Sequence, residues 1–155
     1  MSLPANLENV VNEFAAAPME LRIELLVEYT DKVPPLPPHL AEHPELLEQV
    51  EECQTPFFLA TEVDEDEHVT VWFDCPPEAP TTRGFAGILA VGLEGATVEE
   101  VLSLRTDFHH DLGLAEAISP LRLRGMDAIL TRLKRQVAAH HDARTASGDD
   151  TERTA

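Results

Sequence analysis

Hydrophobic positions along the chain change period twice, and the changes divide it into three parts. In the first part Leu7, Val10, Val11 and Phe14 recur at helical spacing behind Pro4 and Asn6, which predicts a helix. Pro18 restarts the chain, and a second helix is expected from about Met19 to Lys32 with Ile23, Leu26 and Val27 on one face. It stops at Pro34-Pro35-Leu36-Pro37-Pro38, because proline lacks the backbone N–H and clashes with the preceding turn. A short helix is expected over Pro44 to Val50.

From Gln54 the period shortens. Phe57 to Val63 and Val69 to Phe73 are β-branched and aromatic runs separated by Asp64-Glu65-Asp66-Glu67-His68, the pattern of an antiparallel hairpin. The third part is helical again. Phe85, Ile88 and Leu89 mark a helix over Thr82 to Leu93, and Thr97 with Glu100 forms a capping box that opens a short one. Ser119-Pro120 opens the last, whose buried stripe is Met126, Ile129, Leu130, Leu133 and Val137. Helices, hairpin, helices predict an α+β domain with helices packed on one face of an antiparallel sheet.

At 155 residues and 43% hydrophobic, the chain is the size of one domain and can build its core without a metal or disulfides. Residues 1–141 are assigned to that domain. The stretch 142–155, rich in Thr, Ser, Gly and charge with no apolar period, is expected to be a disordered tail. The N-terminus has no signal-like apolar run, and no segment approaches the roughly 18 apolar residues of a membrane span, so a cytoplasmic protein with no membrane association is expected.

Charge sharpens this picture. The formal net charge is −18, and residues 1–82 hold 18 acids against only Arg22 and Lys32. Nucleic acid is excluded as a partner, since its affinity for proteins comes mainly from Lys and Arg on phosphates. Cations concentrate instead in the last helix, at Arg122, Arg124, Arg132, Lys134 and Arg135.

With Cys53 and Cys75 alone, a disulfide scaffold is excluded by count. Cys53 falls in a connection between a short helix and the first strand, a place where reactive groups are often displayed, although a buried structural thiol fits the position equally. Glu51 and Glu52 beside it disfavour the thiolate, so a reactive Cys53 needs an offsetting cation. Cys75, at the end of the second strand, reads as an incidental small hydrophobe or as a possible second thiol. Among the seven histidines, His109-His110 and His140-His141 lack the spacing of a helical zinc pair, and His39 and His43 lie in a proline-broken segment. They read as surface residues, and the acidic run Asp64 to Glu67 reads as a solvated loop without the ligand alternation of a calcium site. No metal or cofactor is called for.

Three ordered segments carry a family resemblance. Val50-Glu51-Glu52-Cys53-Gln54-Thr55, preceded by Pro34-Pro35-Leu36-Pro37, resembles the surroundings of the sulfur-accepting cysteine of the SufE family. Phe73-Asp74-Cys75-Pro76-Pro77-Glu78-Ala79 followed by Arg83-Gly84 resembles its strand end, acidic turn and helix entry, and Ser119-Pro120-Leu121-Arg122 with Gly125-Met126 resembles its later signature. The resemblance implies an α+β fold shared with IscU-type scaffolds. It implies that Cys53 accepts a persulfide sulfur from a pyridoxal-phosphate cysteine desulfurase of the SufS or CsdA type, stimulates that enzyme, and relays sulfur to an iron–sulfur scaffold such as SufB. The protein would then be a sulfur carrier rather than an enzyme in its own right. Gln54, Glu78 and Arg122 map to supporting positions. Where the family often has glycine before the cysteine, this chain has Glu52.

Arg122 sits in the first turn of its helix, where the dipole disfavours a cation, and is therefore expected to pair with Glu78, Glu51 or Glu52. Two other classes remain open on the residues alone: a dithiol redox protein using Cys53 with Cys75, and an acidic adaptor without chemistry.

Overall fold

The computed structural model describes residues 3–154, with side chains described over 3–145. Helix α1 spans Ala5–Ala16 and α2 Met19–Glu28, the latter continued by a 3₁₀ turn at Tyr29–Lys32. Two further short pieces follow, α3 at Pro38–Ala41 and a 3₁₀ turn at Pro44–Leu46. Strands β1 (Glu48–Gln49), β2 (Phe58–Val63) and β3 (Val69–Asp74) form one antiparallel sheet in the order β1-β2-β3. Helices α4 (Pro80–Gly92), α5 (Val98–Leu102) and α6 (Pro120–Thr154) complete the chain, with a 3₁₀ turn at Phe108–His110. The architecture is α+β. Expectations for the 142–155 tail fall mainly on residues whose side chains lie outside the described set. Among the described residues, no helix is long and apolar enough to cross a membrane.

Local chemistry accounts for most of these boundaries. Thr97 and Glu100 make the expected reciprocal cap, with the Glu100 N–H donating to Thr97 Oγ1 at 3.2 Å and the Thr97 N–H to Glu100 Oε1 at 3.1 Å. Pro120 opens α6, and Met126, Ile129, Leu130, Leu133 and Val137 are fully buried along it. Pro80 starts α4 two residues before the expected Thr82, since proline at the first helical position loses no hydrogen bond. The same rule places α3 at the end of the proline run, because Pro38 can begin a helix although it cannot extend one.

The expected helix over Pro44 to Val50 is replaced by a single 3₁₀ turn and strand β1. Backbone pairing explains the change: Glu48 lies opposite Leu59 and Gln49 opposite Phe58, and the Val50 N–H donates to the Phe57 carbonyl at 2.8 Å. Cross-strand pairing thus outweighs a weak local helix preference.

Register puts Leu59, Val69, Val71 and Phe73 on the core side, where they meet Leu7, Phe14, Leu26, Phe85, Ile88 and the α6 stripe. Thr61, on that same side, donates to Gln136 of α6 at 3.0 Å. The opposite side is more polar. There the Trp72 indole donates to Glu62 at 2.6 Å, and Glu62 also holds His39 of α3 at 3.0 Å. Helix α4 packs so closely on the α2 end that a Cβ at Gly84 or Gly87 would collide with the carbonyl oxygens of Leu26 and Tyr29.

Candidate functional site

Between the Val50–Phe57 backbone pair the chain makes a six-residue excursion, Glu51 to Pro56, and Cys53 is at its middle. The excursion is pinned from within by the Cys53 N–H, which donates to the Val50 carbonyl at 3.2 Å. Its outer side meets α6 at Gly125. A Cβ there would sit 3.3 Å from the Cys53 sulfur, so a residue without a side chain lets helix and thiol approach. The sulfur lies 3.9 Å from the Gly125 carbonyl oxygen, a weak S–H contact.

Cys53 opens onto a cleft of about 110 Å³ bordered by three segments. The cysteine loop contributes Glu52 and Gln54, the β3–α4 connection contributes Glu78, and the start of α6 contributes Leu121, Arg122 and Gly125. Thus Gln54, Glu78 and Arg122, far apart in sequence, do share one cleft with Cys53. The first turns of both α4 and α6 border it, so two helix N-termini bring partial positive charge to its rim.

Cys53 is half-buried. Burial, then the Glu52 carboxylate and Cys75, push its thiol up to about 11, and Arg132 acts in the opposite direction. The resting sulfur is therefore a protonated, weakly nucleophilic thiol.

The cation nearest in effect is one that sequence reasoning passed over. Arg132 donates through Nη1 to Glu48 at 2.8 Å and through Nη2 to Glu52 at 2.6 Å, bridging β1 and the cysteine loop. Glu48 also receives Arg135 at 3.1 Å and Gln136 at 2.9 Å. Burial opposes ionisation of Glu48, but hydrogen bonds from Gln136 and Arg132 and the charge of Arg135 hold its pKa below the ordinary value. The hydrogen bond from Arg132 does the same for Glu52.

The pairing expected for Arg122 is corrected accordingly. Its guanidinium lies 3.5 Å from the Thr81 hydroxyl, its backbone N–H meets Ser119 Oγ at 3.4 Å, and the Glu52 carboxylate is taken by Arg132. Arg132 stands seven residues after Gly125, two helical turns along the same face of α6. That spacing was the available signal.

Cys75 is placed differently. Asp74 pairs with Phe58, so Cys75 leaves the sheet beside Phe57, and only 6% of it is exposed. Arg83 donates to its carbonyl at 2.6 Å and approaches its sulfur at 3.8 Å, while a second donor of the same side chain reaches the Thr30 carbonyl at 3.0 Å. Burial raises its pKa too, partly opposed by Arg83. Both cysteines are free thiols.

Against the expectation of surface histidines, His109 is buried, only 2% exposed, with its ring 4.5 Å from that of His110. His43 meets Glu45 at 3.0 Å, and buried His109 meets Asp127 of α6 at 2.8 Å. Asp64, Asp66 and His68 of the hairpin loop lie close together but are exposed, and the Asp64 carboxylate already accepts the backbone N–H groups of Asp66 and His68 at 2.9 Å.

The site defines a class by its form alone: a small α+β domain that displays one half-buried thiol on a loop, over a cleft edged by two helix N-termini. The comparisons narrow the class. The family model described as "SufE: Fe-S metabolism associated domain" matches residues 8–137. An uncharacterized SufE-like protein of Mycobacterium tuberculosis is 48% identical over 136 residues, covering 88% of this chain and 94% of its own. SufE-like protein 1 of Arabidopsis thaliana, named chloroplastic/mitochondrial, is 27% identical over 155 residues, which are 97% of this chain and 40% of that one. Among solved structures, a hypothetical protein from Thermus thermophilus superposes with a TM-score of 0.80 at 43% identity, covering 91% of this chain and 99% of its own. The chain belongs to the SufE family.

Proposed function

We propose that the protein is a sulfur acceptor of iron–sulfur metabolism and that Cys53 carries the sulfur. The supporting observation is a half-buried thiol at the centre of a loop, facing a cleft that also gathers Gln54, Glu78 and Arg122. The donor is a pyridoxal-phosphate cysteine desulfurase of the SufS or CsdA type, working with this protein in a reducing cytoplasm, and the onward acceptor is a scaffold such as SufB.

The transfer is an exchange between a thiol and a persulfide. Cys53, having lost its proton to solvent, attacks the terminal sulfur of the donor persulfide. A new S–S bond forms on Cys53, the donor's S–S bond breaks, and the donor cysteine leaves as a thiolate that takes up a proton. One thiol and one persulfide become one persulfide and one thiol, so no external oxidant or reductant enters. The partner supplies the pyridoxal phosphate, and Cys53 needs only to be uncovered and ionised. At rest it is half-covered and protonated, which keeps an empty carrier poorly reactive toward other electrophiles. The helix N-termini at the cleft favour both the attacking thiolate and the persulfide anion that results.

Incubation of the protein with a cysteine desulfurase and cysteine tests this by intact-mass and peptide mass spectrometry. A gain of about 32 Da, one sulfur, on the Cys53 peptide is expected. Absence of that adduct on Cys53, under conditions where the desulfurase releases sulfide, would overturn the assignment.

A further inference from the structure

Glu52 makes a strong contact from the cysteine loop to the body of the domain. Among the described residues, two polar contacts run from the loop to α6: the 2.6 Å ion pair between Glu52 and Arg132, and the weak 3.9 Å approach of the Cys53 sulfur to Gly125. We infer that Arg132 is a positioning residue for Cys53: through Glu52 it latches the loop in its covered state, and a cationic group that competes for Glu52 releases it. The role as a latch rests on the reading of Cys53 as the functional thiol.

The two ends of the latch are unequal. Arg132 is 20% exposed and anchored on Glu48 of β1, whereas Glu52 is 48% exposed at the edge of the cleft. The Arg132 Nε–H is buried without a partner, so the guanidinium is held by its two Nη groups, one on each carboxylate. Glu48 keeps Arg135 and Gln136 whatever happens to Arg132, so the join between β1 and α6 does not depend on the loop. Glu52 is therefore the end free to move, and its half-exposed carboxylate is open to a cation offered from outside. On release the thiol sheds its burial, the largest influence raising its pKa, while Glu52, its neighbour in the chain, moves with it. The other groups facing the sulfur or its cleft are Cys75, Glu78 and Arg122, none of which bridges loop and helix by a charged contact.

Latch and simple local charge predict opposite signs for one substitution, which makes the idea testable. Iodoacetamide labelling of the Cys53 peptide in the full-length protein is measured at about pH 8, where rate follows thiolate fraction and each pKa unit is about tenfold. If Arg132 latches the loop, R132Q accelerates labelling by about tenfold or more. If Arg132 acts only as a nearby positive charge, R132Q slows labelling; that result, or no change, overturns the proposal. R132K covers the case in which R132Q fails to fold. It keeps the charge but replaces the fork with a point donor that cannot span Glu48 and Glu52 together, so the latch predicts several-fold acceleration and the charge effect alone predicts none. Oligolysine, supplying cation only, is expected to accelerate the wild type and leave R132Q unchanged, and equal acceleration of both would overturn the release step. Labelling needs no sulfur donor. Failure here, with the one-sulfur adduct still forming on Cys53, separates loss of the latch from loss of the proposed function.

Discussion

Cys53 and Cys75 are two thiols of one small domain, and burial raises the pKa of both. What differs is the material that covers them. Cys75 belongs to the core cluster with Phe57, only 6% exposed at the strand end, with Arg83 fastened to the Cys75 carbonyl and to Thr30. Cys53 is sealed by its own loop against a glycine, and the seal is closed by one ion pair at its edge. Cys75 is packed into the hydrophobic core at the edge of a groove that Thr55, Pro56 and Glu78 also line, whereas uncovering Cys53 means moving the six residues of its own loop. The difference teaches that a raised pKa does not by itself mark a thiol as structural; the cost of exposing it does, and that cost is local.

The largest test of the contrast removes each sulfur in turn. Cys53→Ser is expected to abolish sulfur loading and stimulation of a desulfurase while the fold persists, because the substitution preserves side-chain size. Cys75→Ser is expected to retain most of both. Equal damage from the two substitutions, read by turnover and by peptide mass, would erase the distinction and favour a dithiol mechanism.

The next test attacks the core on which Cys75 rests. Phe57 is fully buried and its ring lies 5.7 Å from that of Phe73. Phe57→Ala is expected to cost about 3–5 kcal/mol in urea denaturation, as for other large aromatic truncations in cores. It should also make Cys75 accessible to iodoacetamide. Loss of stability with Cys75 still protected would show that Arg83, rather than the core, provides its cover.

Much of this contrast was legible in the sequence, and the part that was not has a physical reason. The α6 stripe, the Thr97–Glu100 cap and the hairpin depend on neighbours a few residues away, so periodicity and capping rules suffice. Strand β1 depends on Leu59 and Phe58, and two residues carry no period of their own. The cleft set of Cys53, Gln54, Glu78 and Arg122 came from resemblance, and the fold does bring the four to one place. Arg132 was hidden for a different reason. Its charge and its place two turns after Gly125 were visible, but its partners Glu48 and Glu52 are 84 and 80 residues away, and packing decides that this face of α6 meets the loop.

A third, smaller effect concerns pH. The thiol of Cys53 stands near 11 in the fold against an ordinary value of 9.0, and Tyr29, buried and hydrogen-bonded to Glu13, near 12 against 10.0. The folded state holds these protons more tightly than the unfolded chain does. Stability from both groups is complete below about pH 9 and is lost as pH rises toward 11 and beyond, where the unfolded chain ionises first. A urea midpoint at about pH 10.5 should therefore fall below that at about pH 8, and Cys53→Ser should reduce the fall. An identical fall in the variant would assign it to Tyr29 and Cys75 instead.

The smallest expected effect belongs to Arg122, and it sharpens the comparison because the residue shares the cleft with Cys53. Among the described residues its side chain hydrogen-bonds only to the Thr81 hydroxyl, at 3.5 Å, and it lies on the exposed first turn of α6. Charges this exposed are screened, and one without a fixed partner carries little interaction energy. Arg122→Ala is accordingly expected to change Cys53 labelling in the isolated protein by less than about twofold, in contrast to R132Q. Sulfur transfer is the separate readout: a free guanidinium at the cleft mouth is available to a docked donor's persulfide anion, so transfer should slow even though resting labelling does not. A matching decrease in both would mean that Arg122 already acts on the resting thiol, and the division between a latch at Arg132 and a docking contact at Arg122 would fail.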